Sequence, residues 1–236
     1  MLGTITIDPR FNGPPGSGNG GYVCGRLAAA IGATQATVRL RRPAPLGVPL
    51  LVRAIDGGAQ LATDDGDVVA IARRGAALPD MPALRPDAAA LAAAQSRCVG
   101  FNDHPLPRCF VCGPRRARGD GLRIFVGRLE NMDLWAAPWR PDATLAAADG
   151  RVGAEFLWAA LDCPGAFVHA DGNQTNMLLG ELAVEVVARP SVDEACSVLA
   201  WSLGGEGRKR FSGTALIGDD GSMLARARAT WIEIAR

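Results

Sequence analysis

The pattern Asn19-Gly20-Gly21 follows a loop rich in Gly and Pro and precedes an apolar run that predicts a helix. The first N–H groups of a helix have no intrahelical partner and carry a partial positive charge, so they can polarise a carbonyl group. Glycine also lets a bound group approach the backbone closely. The simpler interpretation of the pattern is a turn.

Asp162 is the second candidate for chemistry, because it ends a predicted helix whose side chains include Phe156 and Leu161. A carboxylate against an apolar wall can act as a general base towards water or as a nucleophile. Asn12, in the first loop, could orient a water molecule or a carbonyl group. Asp162 could instead cap the end of its helix or face solvent.

Cysteine spacing offers a third pattern. Cys109 and Cys112 have the spacing of a zinc knuckle, and Cys98 and His104 lie upstream. A single Cys-x-x-Cys leaves three interpretations open, namely reduced core thiols, structural zinc and redox chemistry. The six cysteines lack the dense spacing of a secreted scaffold. We therefore favour reduced thiols and expect no metal.

Two basic clusters could hold the phosphates of a nucleotide-bearing ligand, because the planar guanidinium matches phosphate oxygens. The alternative is that they are solvated loops. The candidate phosphate ligands are Arg115, Arg116, Arg208 and Arg210.

Composition excludes several classes of protein. Of 236 residues, 48% are hydrophobic, and 25 basic side chains face 24 acidic ones, for a net charge of +1. This balance gives no bulk attraction to nucleic acid or to an anionic membrane. No apolar run approaches the roughly 20 residues that span a bilayer, and the N-terminus does not resemble a signal peptide. We expect a cytoplasmic protein.

An internal repeat organises the chain. Residues 58–73 align without gaps with residues 213–228, and both segments place Asp-Asp-Gly between alternating apolar runs, which predicts a β-hairpin. Residues 36–43 similarly resemble 182–190, where a strand-like run ends at Pro. Helices are predicted at 20–31 and 152–162, and short strands at 3–7, 122–128 and 134–139. The pattern indicates an α+β protein in which antiparallel sheets wrap around buried helices.

The repeat also predicts the domain organisation. We expect one unit over residues 1–78, a linker or covering loop with the Cys-x-x-Cys over 79–120, and a second unit over 121–236. A short helix is predicted at 88–95.

These features resemble the hotdog-fold thioesterase superfamily, particularly its phenylacetyl-CoA and hydroxybenzoyl-CoA thioesterases, as two fused hotdog units. In that branch a loop Asn precedes His-Gly-Gly at the start of a helix, and an Asp follows along the helix. Asn12 and Asn19-Gly20-Gly21 match this pattern in the first half, with Asn19 in place of the His. Ala28 stands where the Asp would be.

The second half is complementary in this resemblance. Leu161-Asp162 matches the region of the catalytic carboxylate, whereas Gly153, Ala154 and Glu155 stand where His-Gly-Gly would be. In dimers of the family, one subunit supplies the helix N-terminus and its partner supplies the Asp. The resemblance therefore implies one competent site per chain.

The resemblance implies hydrolysis of a small-to-medium acyl or aryl thioester of coenzyme A. Asp162 would be the base or nucleophile, and the Gly20 and Gly21 amides would polarise the carbonyl. No cofactor is expected beyond coenzyme A within the substrate, with zinc at Cys109 and Cys112 as an option. The chain would act as a monomeric pseudo-dimer or a homo-oligomer. Alternatives are a non-catalytic acyl-CoA or small-ligand binding protein and, less favoured, hydration of an enoyl thioester.

Overall fold

The computed structural model describes residues 1–170 and 176–234. Eleven antiparallel strands form one sheet within these ranges, in the order β1-β3-β4-β5-β2-β8-β11-β10-β9-β7-β6. The strands are β1 (Gly3–Thr6), β2 (Gln35–Leu40), β3 (Pro49–Ile55), β4 (Gly58–Ala62), β5 (Val68–Arg74), β6 (Gly127–Arg128), β7 (Trp135–Trp139), β8 (Met177–Val186), β9 (Cys196–Glu206), β10 (Lys209–Ile217) and β11 (Met223–Glu233). The helices are α1 (Gly20–Ala30), α2 (Ala88–Ser96), α3 (Ala154–Ala160) and α4 (Pro164–Phe167).

The two halves of the sheet join at β2 and β8. These strands pair antiparallel, with Val38 opposite Leu182, and both side chains are buried. Strands β1 to β5 lie on one side of this junction and β6 to β11 on the other. The α+β prediction of two similar sheets around buried helices is therefore confirmed, and the two sheets are continuous.

Both predicted hairpins of the repeat form. Strands β4 and β5 pair around residues 63–67, and β10 and β11 pair around residues 218–222. Gly66 and Gly221, which occupy equivalent places in the repeat, have φ angles of 89° and 81°. Side chains rarely adopt this region, so glycine fixes the same turn in both copies.

One predicted strand is wrong. Only Gly127–Arg128 of segment 122–128 joins the sheet. The preceding backbone bonds instead to the cysteine loop, since Leu122 N donates to Phe110 O at 2.8 Å and Ile124 N donates to Val111 O at 3.0 Å. The chain therefore packs under that loop before it enters the sheet.

The second predicted helix, over 152–162, forms but is shorter than expected. α3 ends at Ala160, and a tight turn leads into α4 at Pro164. Proline suits the first turn of a helix, where its missing N–H removes no helical bond. Asp162 therefore lies in the turn between two helices.

Helix α1 packs directly against α3 because Gly21 and Gly25 lie on one face of α1. A Cβ at Gly21 would lie 2.6 Å from Trp158 O, and one at Gly25 would lie 2.7 Å from the Cα of Glu155. Real Cβ atoms do not approach backbone so closely, so the absence of side chains sets the distance between the helices. This contact brings the start of α1 beside Asp162.

A second hydrophobic cluster lies on the other face of the C-terminal half. Neighbouring residues of β9 alternate between clusters, with Val198 in the main core and Leu199 in the second one. Leu91 and Ala94 of α2 cover this second cluster. The central segment of the chain thus covers one sheet face. No helix in the described ranges combines the length and apolar character needed to cross a membrane.

Candidate active site

The N-terminus of α1 meets Asp162 from the opposite half of the chain. Asn19 caps the helix, and its Oδ1 accepts a hydrogen bond from Tyr22 N at 2.9 Å. Its Nδ2 donates to Asp162 Oδ2 at 2.8 Å, and Gly21 N donates to the same oxygen at 2.9 Å. Asn19 and Asp162 are only 2% and 3% exposed. The structure therefore brings together the two sequence segments that we singled out.

Asp162 lies in an environment that disfavours its charged form. Burial, and to a smaller extent the negative charge of Cys109, raise its pKa from the ordinary 3.8 to about 7. Hydrogen bonds from Gly21 and Asn19 offset only part of this rise. The second oxygen, Oδ1, is buried and has no hydrogen-bond partner among the described residues. A carboxyl group in this state can exchange a proton near neutral pH.

A cavity of about 470 Å³ opens beside this carboxyl group. Asn19, Gly20 and Asp162 all line it. The volume falls within the range of roughly 300–1,000 Å³ that is usual for small-molecule sites. Much of the remaining wall is apolar and includes Leu40, Phe167, Met177, Leu179, Trp231 and Ile232.

The two glycines of the motif have different positions. Gly21 N–H already bonds to Asp162, and Gly21 does not line the cavity. The N–H groups of Tyr22 and Val23 bond to Asn19. Gly20 lines the cavity, and its N–H has no hydrogen-bond acceptor among the described residues. Of the first four N–H groups of α1, that of Gly20 is the one available to a ligand.

Asn12 lies outside the cavity, contrary to the role that we expected for it. Its Oδ1 accepts a hydrogen bond from Arg116, and its Nδ2 donates to Gly13 O at 3.0 Å. Its amide is therefore engaged in holding the loop before α1. The sequence spacing could not reveal this, because it does not show where the side chain points.

Arg116 is also committed to the protein. Its guanidinium donates to Arg108 O at 2.9 Å, Arg10 O at 2.7 Å and Asp120 Oδ2 at 3.0 Å, in addition to Asn12. Only 9% of its side chain is exposed. These bonds occupy the groups that would bind a phosphate, so the structure gives Arg116 a structural role instead.

The other predicted phosphate ligands lie away from the cavity lining. Arg115 and Arg208 are exposed, whereas Arg210 pairs with Glu233 at 2.8 Å. Two arginines that we did not select, Arg41 and Arg42, do line the cavity. They follow β2 directly and precede Pro43. A pair of basic residues at the end of a predicted strand was therefore the sequence pattern that could have indicated these two phosphate ligands.

Three cysteines lie beside Asn19. The Sγ atoms of Cys109, Cys112 and Cys163 are all within 4.8 Å of one another, and all three residues line the cavity. Hydrogen bonds from Cys112 and Cys163, and from the backbone N–H groups of Cys112 and Val111, hold the pKa of Cys109 well below its ordinary value despite burial. All six cysteines are free thiols. Cys163 was missed because it is distant in sequence from the Cys-x-x-Cys.

The related position at the start of α3 is different. Gly153 is the N-cap and makes no side-chain capping bond. A carboxylate oxygen of Glu155 lies 2.9 Å from where a Cβ of Gly153 would be, so the side chain of α3 covers its own N-terminus. On α1, Ala28 is buried and carries no ionisable group. Asp162 and the start of α1 thus have no equivalent at this second position.

Comparisons with known proteins agree with this architecture. No family model matches the sequence, and no curated protein matches it. Among solved structures, a hot dog fold protein of unknown function from Alicyclobacillus acidocaldarius has a TM-score of 0.64 and 14% identity, covering 99% of this chain and 93% of its own.

Two further solved structures carry provisional thioesterase names. One, from Novosphingobium aromaticivorans, has a TM-score of 0.63 and 16% identity, covering 100% of this chain and 97% of its own. The other, a thioesterase II from Thermobifida fusca, has a TM-score of 0.63 and 16% identity, covering 99% and 93%. At these identities the likeness establishes the fold, and the chain is a tandem hot dog protein.

Proposed function

We propose that this protein hydrolyses acyl thioesters of coenzyme A. The observation that carries the proposal is the meeting of a buried carboxyl group with a helix N-terminus in an apolar cavity, joined by hydrogen bonds of 2.8 and 2.9 Å. The structural neighbours with thioesterase names support the same class of reaction.

In this proposal Gly20 N–H binds the thioester carbonyl oxygen. The negative charge that develops on this oxygen would be stabilised by the hydrogen bond and by the partial positive charge of the helix N-terminus. Gly21 N–H, which we expected to share this role, instead holds Asp162 Oδ2. In this proposal Gly20 thus binds the substrate, whereas Gly21 holds the base.

Asp162 acts as the general base. Asn19 and Gly21 fix Oδ2, which leaves Oδ1 to accept a proton from water. The oxygen of that water bonds to the carbonyl carbon, and the carbon–sulfur bond then breaks. The products are a carboxylic acid and the thiol of coenzyme A, which receives the proton. No oxidant or reductant is needed.

The walls of the cavity favour an apolar acyl or aryl group. Leu179 and Met177 of β8 and Phe167 of α4 contribute to its lining. Arg41 is exposed beside this cavity, and none of the hydrogen bonds or ion pairs found in the described residues involves its side chain. We assign the phosphates of coenzyme A chiefly to Arg41, in place of the two clusters chosen from the sequence. Arg42 lies beside it, but its side chain pairs with Asp67 at 3.0 Å and would have to leave this exposed ion pair to bind a phosphate.

Release of free thiol from short, medium and aryl acyl-CoA substrates tests the proposal. Asp162→Asn should lower kcat by about 10²–10⁴-fold, because loss of a general base typically has that effect. Asp65→Asn is the matched control, since Asp65 is exposed at the tip of the β4–β5 hairpin. The proposal is wrong if wild type releases no thiol from any substrate or if Asp162→Asn retains full activity.

Binding without turnover is the second candidate function. It is favoured by the bonds that Asn19 and Gly21 already donate to Asp162 Oδ2, because these two N–H groups near the cavity are then not free to bind a thioester. This alternative predicts that calorimetry detects binding of acyl-CoA while no thiol is released.

A further inference from the structure

The cluster of Cys109, Cys112 and Cys163 has the dimensions of a metal site. Cys109 Sγ and Cys163 Sγ are 3.6 Å apart, and no pair among the three Sγ atoms exceeds 4.8 Å. Two sulfurs bound to one tetrahedral Zn²⁺ at about 2.3 Å lie about 3.8 Å apart. Shifts of roughly 1 Å or less would therefore place all three sulfurs around one ion.

The loop that carries Cys109 and Cys112 is tightly built. Gly113 N donates to Cys109 O at 2.9 Å, and a Cβ at Gly113 would lie 2.5 Å from that oxygen. The loop is anchored to both neighbouring segments, because Phe110 N donates to Asn12 O and Leu122 N donates to Phe110 O, each at 2.8 Å. The backbone that carries the two cysteines is thus held in place before any ligand binds.

Polar groups around the thiols provide an independent indication of a ligand. Asp162 Oδ1 and His104 Nε2 are buried and have no hydrogen-bond partner among the described residues, and both side chains line the same cavity as the thiols. Asn19 Nδ2 lies 4.0 Å from Cys109 Sγ and 3.9 Å from Cys163 Sγ. A buried polar atom without a partner is destabilising, and a bound ion with its water would supply the missing partners.

We propose that Cys109, Cys112 and Cys163 bind one Zn²⁺ ion. Thiolate ligands select zinc over the harder divalent cations. Binding displaces the protons that the three cysteines still carry, and the three thiolates with Zn²⁺ carry a net charge of −1. With three protein ligands the fourth position opens to the cavity, where water occupies it, and Asn19 Nδ2 remains as a hydrogen-bond donor towards the metal-bound sulfurs.

Co²⁺ is the probe for the first test, because its absorption reports tetrahedral geometry and sulfur ligands. One equivalent added to reduced, chelator-treated protein should produce thiolate-to-cobalt charge transfer, and Zn²⁺ should abolish it. Cys109→Ser and Cys163→Ser should weaken binding by more than about 10-fold, because even changes to residues that only support metal ligands typically cost that much. Cys196→Ser, which alters a buried cysteine outside the cluster, should bind as wild type does.

Alkylation of wild type keeps the proposal testable if a variant does not fold. Zn²⁺ should protect the thiols of Cys109, Cys112 and Cys163 from alkylation, as identified by mass spectrometry of peptides, and leave Cys24 and Cys196 unchanged. Absence of both the cobalt spectrum and this protection would overturn the proposal. Equal Co²⁺ affinity in wild type and a folded Cys163→Ser variant would also overturn it. None of these measurements requires thioester hydrolysis.

Discussion

Replacing Gly20 with Pro should remove a single hydrogen-bond donor from the candidate site. Gly20 is the first residue of α1, and Asn19 before it has φ −59° and ψ 131°. Proline is well tolerated at this helical position, and the residue before a proline prefers such extended angles. The backbone around Gly20 is therefore already suited to proline, while the N–H that faces the cavity would be lost.

The expected effect on activity can be worked out from the hydrogen bonds. Gly20 N–H is the one donor among the first four of α1 that no described group accepts, so its loss leaves the other three bonds in place. Loss of one oxyanion-hole donor lowers kcat by about 10²–10³, or roughly 2.7–4 kcal/mol of barrier. We expect this fall in kcat for Gly20→Pro. Its unfolding free energy should be close to that of Gly20→Ala, because the Cβ of either residue would meet the side chains of Leu179 and Leu40.

Gly20→Ala is the matched control. It adds the same Cβ, which would lie 2.9 Å from the flexible end of Leu179, but it keeps the N–H. Thiol release gives kcat for both variants, urea unfolding followed by tryptophan fluorescence gives their stability, and calorimetry of coenzyme A checks that the added ring does not block the cavity. If Gly20→Pro folds and turns over at the rate of Gly20→Ala, the carbonyl is not bound by this amide.

The candidate site and the residues around it lead to four other predictions. In chelator-treated protein, kcat/KM should rise with pH and level off above about 7, the pKa of Asp162. Because the pKa of Asp162 is raised in the folded protein, the stability that Asp162 contributes is complete below pH 3.8 and is lost as the pH rises through 7. Urea unfolding over this pH range should therefore show wild type losing about 4 kcal/mol of unfolding free energy relative to Asp162→Asn. Parallel plots of unfolding free energy against pH for the two proteins would contradict the assignment. Gly21→Ala should lose about 1–3 kcal/mol of unfolding free energy, because its Cβ would meet Trp158 O at 2.6 Å; a variant as stable as wild type would show that the helices separate easily. Leu179→Phe should shift the acyl preference towards shorter chains, and an unchanged preference in the thiol-release assay would place the acyl group elsewhere.

Much of the fold could be predicted from local patterns. Asp-Asp-Gly between alternating apolar runs specifies a hairpin through residues in immediate sequence contact, and both copies form as expected. The strand predicted for segment 122–128 was wrong because most of its apolar residues are buried without pairing to another strand. Leu122 and Ile124 bond to the cysteine loop, a contact that no periodicity encodes.

The candidate site was predictable only where the resemblance supplied a long-range pairing. Asn19 and Asp162 were expected to meet across the two halves, and they do. Cys163 and Arg41 had no comparable guide, since nothing local indicates that they share a cavity. Asn12 and Arg116 were selected because their side chains could bind a substrate. In the structure the Arg116 guanidinium donates a hydrogen bond to Asn12 Oδ1, so both side chains hold the loop instead.

The pairing of the two halves through β2 and β8 has a consequence for how the protein folds. Asn19 and Asp162 are 143 residues apart in sequence, so their hydrogen bond closes a very long loop. Contacts of such separation form slowly and depend on the structure between them. During synthesis the first half emerges with α1 and β2 but without the carboxyl group or the partner strand β8. Ligand binding at this site would therefore report that the whole chain has folded. Until β8 has been synthesised and pairs with β2, β2 remains an exposed edge of the sheet.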